Sequence, residues 1–241
     1  MVSLYLKEVR GFFSGLTGYL VIVIFLLLNG MFLWIIPGET NILDMGLANL
    51  NALFQLAPWV FLFLVPAITM RMFAEERRTG TMEMLLTRPI TESKIVISKY
   101  LAAYSLVILA IVPTLVYFYS VWQLGTNVGN LDLGATLGSY LGLLFLAAIY
   151  TAIGIFTSSV TENQIVAFLF GMSICFLFFI GFDYISSIPV FSSIELVIMN
   201  IGINEHYNSI SRGVIDLGDL IYFVGVVAIF ILATTVVVKR R

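Results

Sequence analysis

The chain has 241 residues, 60% of them apolar and 11% charged, with a formal net charge of -2, whereas a soluble domain is about half apolar and about a quarter charged. Its charges fall in short clusters between long uncharged stretches, which excludes an ordinary globular enzyme and points to an integral membrane protein. A closed barrel is excluded as well, because it needs segments of about ten residues that alternate apolar and polar, and residues 21–28 are apolar at every position.

Residues 1–14 interleave Leu4, Tyr5, Val9, Phe12 and Phe13 with Lys7, Glu8 and Arg10. That pattern suits a helix lying in the membrane interface; the alternative is a frayed tail. Six stretches then meet the requirement of about 18 or more apolar residues without charge. They run over residues 19–36, 52–70, 101–122, 137–156, 165–182 and 220–238 of an all-α membrane protein. The first is longer than a signal-peptide core and ends at Pro37-Gly38 without a small-x-small cleavage site, so it reads as a retained span.

Pro58, Pro66 and Pro113 lie inside spans and are expected to kink them, with neighbouring helices re-satisfying the freed carbonyls. Asn29, Gln55, Ser105, Thr114, Thr151, Ser173, Thr234 and Thr235 are expected to form hydrogen bonds between helices. Gly134, Gly138 and Gly142 enter the fourth span at small-xxx-small spacing, which fits a close helix contact or chance alike among 19 glycines. The lone cysteine, Cys175, falls in the fifth span, so no intrachain disulfide is possible.

Eleven of the twelve lysines and arginines lie before the first span, between the second and third, or after the sixth; only Arg212 falls elsewhere. The positive-inside rule therefore puts both termini in the cytoplasm. The outward connections, residues 37–51 and 123–136, carry only Glu39, Asp44 and Asp132. The third, residues 183–219, holds an apolar run around Phe191, Ile194, Val197, Ile198 and Ile201, spaced like one face of a helix that lies on or dips into the outer leaflet. No loop is long enough for a separate core, so the whole of residues 1–241 reads as one membrane domain.

Several chemistries are missing. No lysine completes a GxxxxGK[ST] phosphate loop, so no nucleotide or magnesium ion is expected on this chain, and no metal site or nucleic-acid partner is expected either. A histidine-based triad would rest on His206 alone. The spans carry no Asp, Glu, Lys, Arg or His, where ion-driven carriers place an ionisable group at mid-depth.

What remains is the hairpin of residues 71–99, which holds ten charged residues: Arg71, Glu75, Glu76, Arg77, Arg78, Glu83, Arg88, Glu92, Lys94 and Lys99. Residues 75–78 should continue the second span as a helix that Gly80 breaks. Residues 81–86 should form a short helix ended by Arg88-Pro89, and Thr91 should cap the helix into the third span. The hairpin could be a solvated connector, but Met82, Met84, Leu85 and Leu86 beside acids and arginines suit a docking face for a partner. In the turn of residues 157–164, Thr161 with Gln164 fits a capping box for span five.

The run Glu75-Glu76-Arg77-Arg78-Thr79-Gly80-Thr81-Met82-Glu83-Met84-Leu85-Leu86-Thr87-Arg88-Pro89, followed by Lys99, resembles the first cytoplasmic loop of ABC type-2 exporter permeases. Lys7-Glu8-Val9-Arg10-Gly11-Phe12-Phe13-Ser14 is similar to that family's amino-terminal interface helix, Ser158-Ser159-Val160-Thr161-Glu162-Asn163-Gln164 to its turn between spans four and five, and Ser211-Arg212-Gly213 with Asp216, Asp219 and Tyr222 to its approach to the last span. Within the family the nearest likeness is to the gliding-motility permeases of Bacteroidetes.

The resemblance implies a bacterial inner-membrane permease subunit, not itself an enzyme, driven by a separate cytoplasmic ABC ATPase that binds ATP and magnesium. It also implies a second permease copy, identical or related. Glu75, Glu76, Arg77, Gly80, Thr81 and Glu83 would make or position the ATPase contact, Leu85 and Leu86 would pack it, and Ser159, Glu162 and Asn163 would form a lesser second contact. The long outer loop would correspond to a pair of outward helices. Two readings compete with this: an anchor or assembly factor that docks a cytoplasmic protein other than an ATPase, and a self-powered carrier or intramembrane enzyme, which the uncharged spans support poorly.

Overall fold

The computed structural model describes residues 1–86, 90–125, 131–214 and 216–240, and of residues 84–86 and 191–193 only the backbone. In chain order the helices are α1 (Val2–Ser14), α2 (Thr17–Ile35), α3 (Ile42–Met45), α4 (Asn51–Arg78), α5 (Thr81–Leu86), α6 (Glu92–Leu124), α7 (Leu133–Val160), α8 (Gln164–Ser186), α9 (Glu195–Met199), α10 (Ile203–Ser211) and α11 (Leu217–Lys239). No strand occurs among the described residues. Six helices, α2, α4, α6, α7, α8 and α11, are long and apolar enough to cross a membrane. They fall on the six stretches marked in the sequence.

Helix α7 is the centre of the bundle, packed against α4, α6, α8, α10 and α11. Around it α2, α8 and α11 turn apolar residues such as Val23, Leu169, Val224 and Leu232 outward. Continuous exposed apolar faces of that size suit hydrocarbon rather than water. Helix α1 forms as expected and lays Leu4 and Phe12 against the bundle beside α6.

The polar groups in the spans differ from expectation. Asn29, Thr151, Ser173, Thr234 and Thr235 hydrogen-bond the carbonyl four residues back in their own helix, and Ser105 the one three back. A short side chain reaches that carbonyl without crossing to a neighbour. Tyrosines make the crossings instead, because their rings carry the hydroxyl outward: Tyr104 donates to the Leu144 carbonyl at 3.2 Å, Tyr117 to Leu26 at 3.2 Å and Tyr140 to Thr114 at 3.0 Å. Only Thr114, of the eight, also meets a neighbouring side chain, the Tyr140 hydroxyl, among the described contacts.

Two of the three prolines leave their helix unbroken. Pro113 coincides with a single tightened turn, Val112–Thr114, but α4 runs on through Pro58 and Pro66. The carbonyl that Pro58 leaves without its helical partner is that of Phe54, and Tyr207 of α10 donates to it at 2.7 Å. Helix α4 is interrupted instead at Met70.

In the long connection the expected helix is displaced. Residues 189–199 form a tight turn and the short α9, with Val190, Leu196 and Val197 exposed, while the element that docks is α10, through Ile203, Tyr207 and Ile210. It seats on Gly138 of α7, where any Cβ would overlap the Ile210 carbonyl, and Gly142 faces the Tyr207 ring. The glycine stripe therefore marks a real contact, made with the connection rather than with another span. His206 joins α10 to α11: one ring nitrogen faces Asp219 at 2.7 Å, the other the Asn200 carbonyl at 3.0 Å, and the ring stacks on Tyr222. Burial raises the pKa of the Tyr207 hydroxyl, which keeps it a donor.

Candidate functional site

The hairpin is built outward from the end of α4. At Met70 the Ser158 hydroxyl of α7 enters the helix: it donates to the Met70 carbonyl at 2.9 Å and accepts from the amides of Phe73 and Ala74 at 3.0 and 3.2 Å. A side chain inserted into the backbone ladder is a recognised cause of a helix bend. The elbow is held close to α7, because Gly154 presents no Cβ where one would overlap the Thr69 side chain. Arg71, just beyond it, donates from its guanidinium to the Thr17 hydroxyl at the start of α2.

One helical turn further on, Lys99 of α6 closes a second node. Its side chain is 1% exposed, and its ammonium donates to Glu8 of α1 at 3.0 Å, to Glu76 of α4 at 2.8 Å and to the Met72 carbonyl at 2.8 Å, with the Phe73 ring 5.2 Å away. An ammonium has three N–H groups and each finds an acceptor, which is what burial of a charge requires. Three helices, α1, α4 and α6, are thus tied at one charge.

Past this node α4 ends at Arg78. The Thr79 hydroxyl bonds the Glu75 and Glu76 carbonyls, and Gly80 turns the chain with a φ of 69°, a left-handed conformation that favours glycine at a helix end. The expected break and the expected helix Thr81–Leu86 are both present. Thr91 stands at the N-cap position of α6, but its side chain makes no capping hydrogen bond, contrary to expectation.

The candidate residues divide by exposure. Gly80, Thr81 and Glu83 are exposed at the tip, and Glu162 and Asn163 on the neighbouring turn are exposed as well. Glu75 and Arg77 are half-buried; Glu76 is turned in to Lys99, and Ser159 is buried, donating to the Phe156 carbonyl at 2.7 Å. The side chains of Met84, Leu85 and Leu86, and all of Thr87, Arg88 and Pro89, lie outside the described residues. Met82 is not part of an exposed apolar face: it is buried against the core. The residues 71–78 pack on both α7 and α8, so hairpin and turn share one end of the bundle.

The turn also caps differently from expectation. Asn163 is the N-cap of α8 and accepts from the Ile165 amide at 2.9 Å, while Thr161 accepts from the Asn163 amide at 3.2 Å. The shorter Asx geometry starts the helix at Gln164, too late for a box with Thr161. Sequence reasoning missed Ser158, Glu8 and Arg71 as structural anchors. Lys99 alone carried a signal, as a charge abutting an apolar span with no counter-charge nearby in sequence.

An all-helical bundle with six candidate spans, whose charged hairpin is tied to neighbouring helices by hydrogen bonds, defines a multi-pass membrane protein. The chain belongs to the ABC-2 family transporter proteins: the pattern of that family matches residues 39–241. Members of the family are permeases, not themselves catalytic, and generally work with a cytoplasmic ATPase in a lipid bilayer. No curated protein matches the chain.

Proposed function

We propose that this permease is the membrane half of an ATP-driven exporter in a bacterial inner membrane, with both termini cytoplasmic, and that residues 71–99 form the segment through which a separate ABC ATPase drives it. The observation that carries this reading is the contrast within the hairpin. Its tip at Gly80, Thr81 and Glu83 is exposed, while its root is fixed to the spans by Ser158 and Lys99. A surface connector needs no such root, whereas a lever does. Glu76, Arg77 and Ser159 position the contact; Glu162 and Asn163 extend it, and Leu85 and Leu86 would pack it. ATP and magnesium belong to the ATPase, and a second permease copy, identical or related, completes the transporter. The process we propose for it is gliding motility, on the likeness of the chain as a whole to the gliding-motility permeases.

The test is hydrolysis and export in vesicles carrying the permease with the ABC ATPase that co-purifies with it. Gly80→Pro cannot adopt the positive φ and so displaces the tip, and Glu83→Lys reverses its charge. Both should lower export while ATP hydrolysis continues. If nucleotide-independent function survives without an ATPase, the chain is an anchor for another partner and the exporter reading fails.

A further inference from the structure

We propose that a cavity at the end of the bundle opposite the hairpin binds an organic cation, an amine or quaternary ammonium attached to an apolar body; the inference deepens the exporter reading, on which it rests for its place in transport. The cavity is about 590 Å³ and opens between the start of α4, the end of α8 and α10. That size is within the range of roughly 300–1,000 Å³ that takes small organic molecules. Its walls include the rings of Phe54, Trp59, Phe179 and Tyr184.

Asp183 is the one charged residue lining it, with no lysine, arginine or histidine among the described residues there. Oδ2 of this carboxylate accepts from Asn204 Nδ2 at 2.7 Å, and Oδ1 is buried with no partner. The ion pairs of the described residues join Lys99 to Glu8 and Glu76 and His206 to Asp219, and none neutralises Asp183. A carboxylate held by one amide, with its other oxygen withdrawn from water, leaves uncompensated negative charge in a partly desolvated wall, where an opposite charge is attracted more strongly than in bulk water.

The remaining lining selects among cations. Trp59 is 44% exposed and Tyr184 71% exposed, so both rings are free to receive a positive group on a face or to cover the apolar body attached to it. A calcium ion takes about six to eight oxygen ligands and is held mostly by carboxylates, whereas beside the single carboxylate this lining offers only neutral side-chain oxygens, among them those of Gln55, Ser187, Asn204 and Asn208, and that of Asn204 already accepts from Asn208 at 3.2 Å. Anions are repelled by the same carboxylate, and a neutral apolar molecule would desolvate it further without pairing it.

The probe is phenethyltrimethylammonium, with its neutral carbon isostere, 3,3-dimethylbutylbenzene, as control. Binding is measured by equilibrium dialysis on the full chain in phosphatidylcholine nanodiscs, against empty nanodiscs. The cation should bind saturably and the isostere should not compete. Asp183→Asn, which keeps the shape, should weaken binding about tenfold, Asp183→Glu should restore part of it, and Trp59→Leu should weaken it about threefold. Equal affinity in Asp183→Asn, competition by the isostere, or no saturable binding overturns the proposal. Calcium binding that depends on Asp183 and ignores Trp59→Leu overturns it in favour of an inorganic site. If Asp183→Asn does not yield monodisperse protein, Trp59→Leu and the isostere decide. No ATPase takes part, so failure here leaves the coupling reading standing, and failure of coupling leaves the binding curve unchanged.

Discussion

Ser158→Ala removes one oxygen from the elbow of α4. That oxygen makes three hydrogen bonds, to the Met70 carbonyl and from the Phe73 and Ala74 amides, at a residue with no exposed surface. A net contribution of about 1 kcal/mol per bond gives about 3 kcal/mol if the elbow keeps its shape, with no water to replace the hydroxyl. Part is recoverable if α4 straightens, since the ordinary helical acceptors for those amides are the Thr69 and Met70 carbonyls. The expected loss is therefore about 1–3 kcal/mol, accompanied by a new direction for residues 71–78. Two measurements separate these effects: unfolding in detergent reports the energy, and electron–electron distances between spin labels at the exposed positions Arg78 and Glu162 report the direction. Cys175 is buried and stays unlabelled. Stability unchanged within about 0.5 kcal/mol, together with an unchanged distance distribution, would refute the elbow as a built hinge.

Lys99→Met strands Glu8 and Glu76, and because those carboxylates are 15% and 17% exposed the loss should sit near the lower end of the range of about 3–5 kcal/mol for breaking a buried pair; adding Glu8→Gln and Glu76→Gln should return most of it, as denaturant unfolding would show. Gly154→Val overlaps the Thr69 side chain and should lose about 1–3 kcal/mol, whereas Gly225→Ala, with open space around it, should gain up to about 1 kcal/mol in the same melts. Tyr207→Phe leaves the Phe54 carbonyl unpaired and should cost about 1–3 kcal/mol. Burial raises the Tyr207 pKa above the ordinary 10.0, so the folded state holds this proton more tightly than the unfolded state. Its contribution is complete below that ordinary value and falls as pH rises through the folded one, so unfolding measured in alkali should show a shallower decline in the phenylalanine variant.

The spans and the hairpin were legible because each is dictated locally. Lipid demands about 20 apolar residues in a row, the charges of residues 71–99 have nowhere in hydrocarbon to go, and Gly80 stands where a helix must turn. What stayed hidden depends on helix phase. Thr157, Ser158 and Ser159 all carry hydroxyls, and only the rotation of α7 against α4 selects Ser158 for the elbow. The partner of the Phe54 carbonyl lies 153 residues away on a helix that an exposed apolar run obscured in the sequence. The same ambiguity affected the span hydroxyls, for which a bond within the helix and one between helices have the same sequence pattern.

One helix connects the two ends. Residues 54–59 of α4 wall the cavity with Asp183, and residues 70–78 of the same helix form the root of the hairpin. The stretch Asn51–Thr69 is 19 residues, or about 28 Å of continuous helix, uninterrupted by either proline. A rod of that kind transmits tilt, provided it is gripped at defined points. The grips are Tyr207 on the Phe54 carbonyl at one end and Ser158 with Gly154 at the other, both backed by α7 or by α10 seated on it. In the exporter reading, force applied at the exposed tip reaches Lys99 and Ser158 at the root, and a tilt of α4 carried to the far side moves Trp59 relative to Asp183. A site whose charge stands on α8 and whose Phe54 and Trp59 rings stand on α4 changes affinity when those helices shift, which is the property a transported ligand requires.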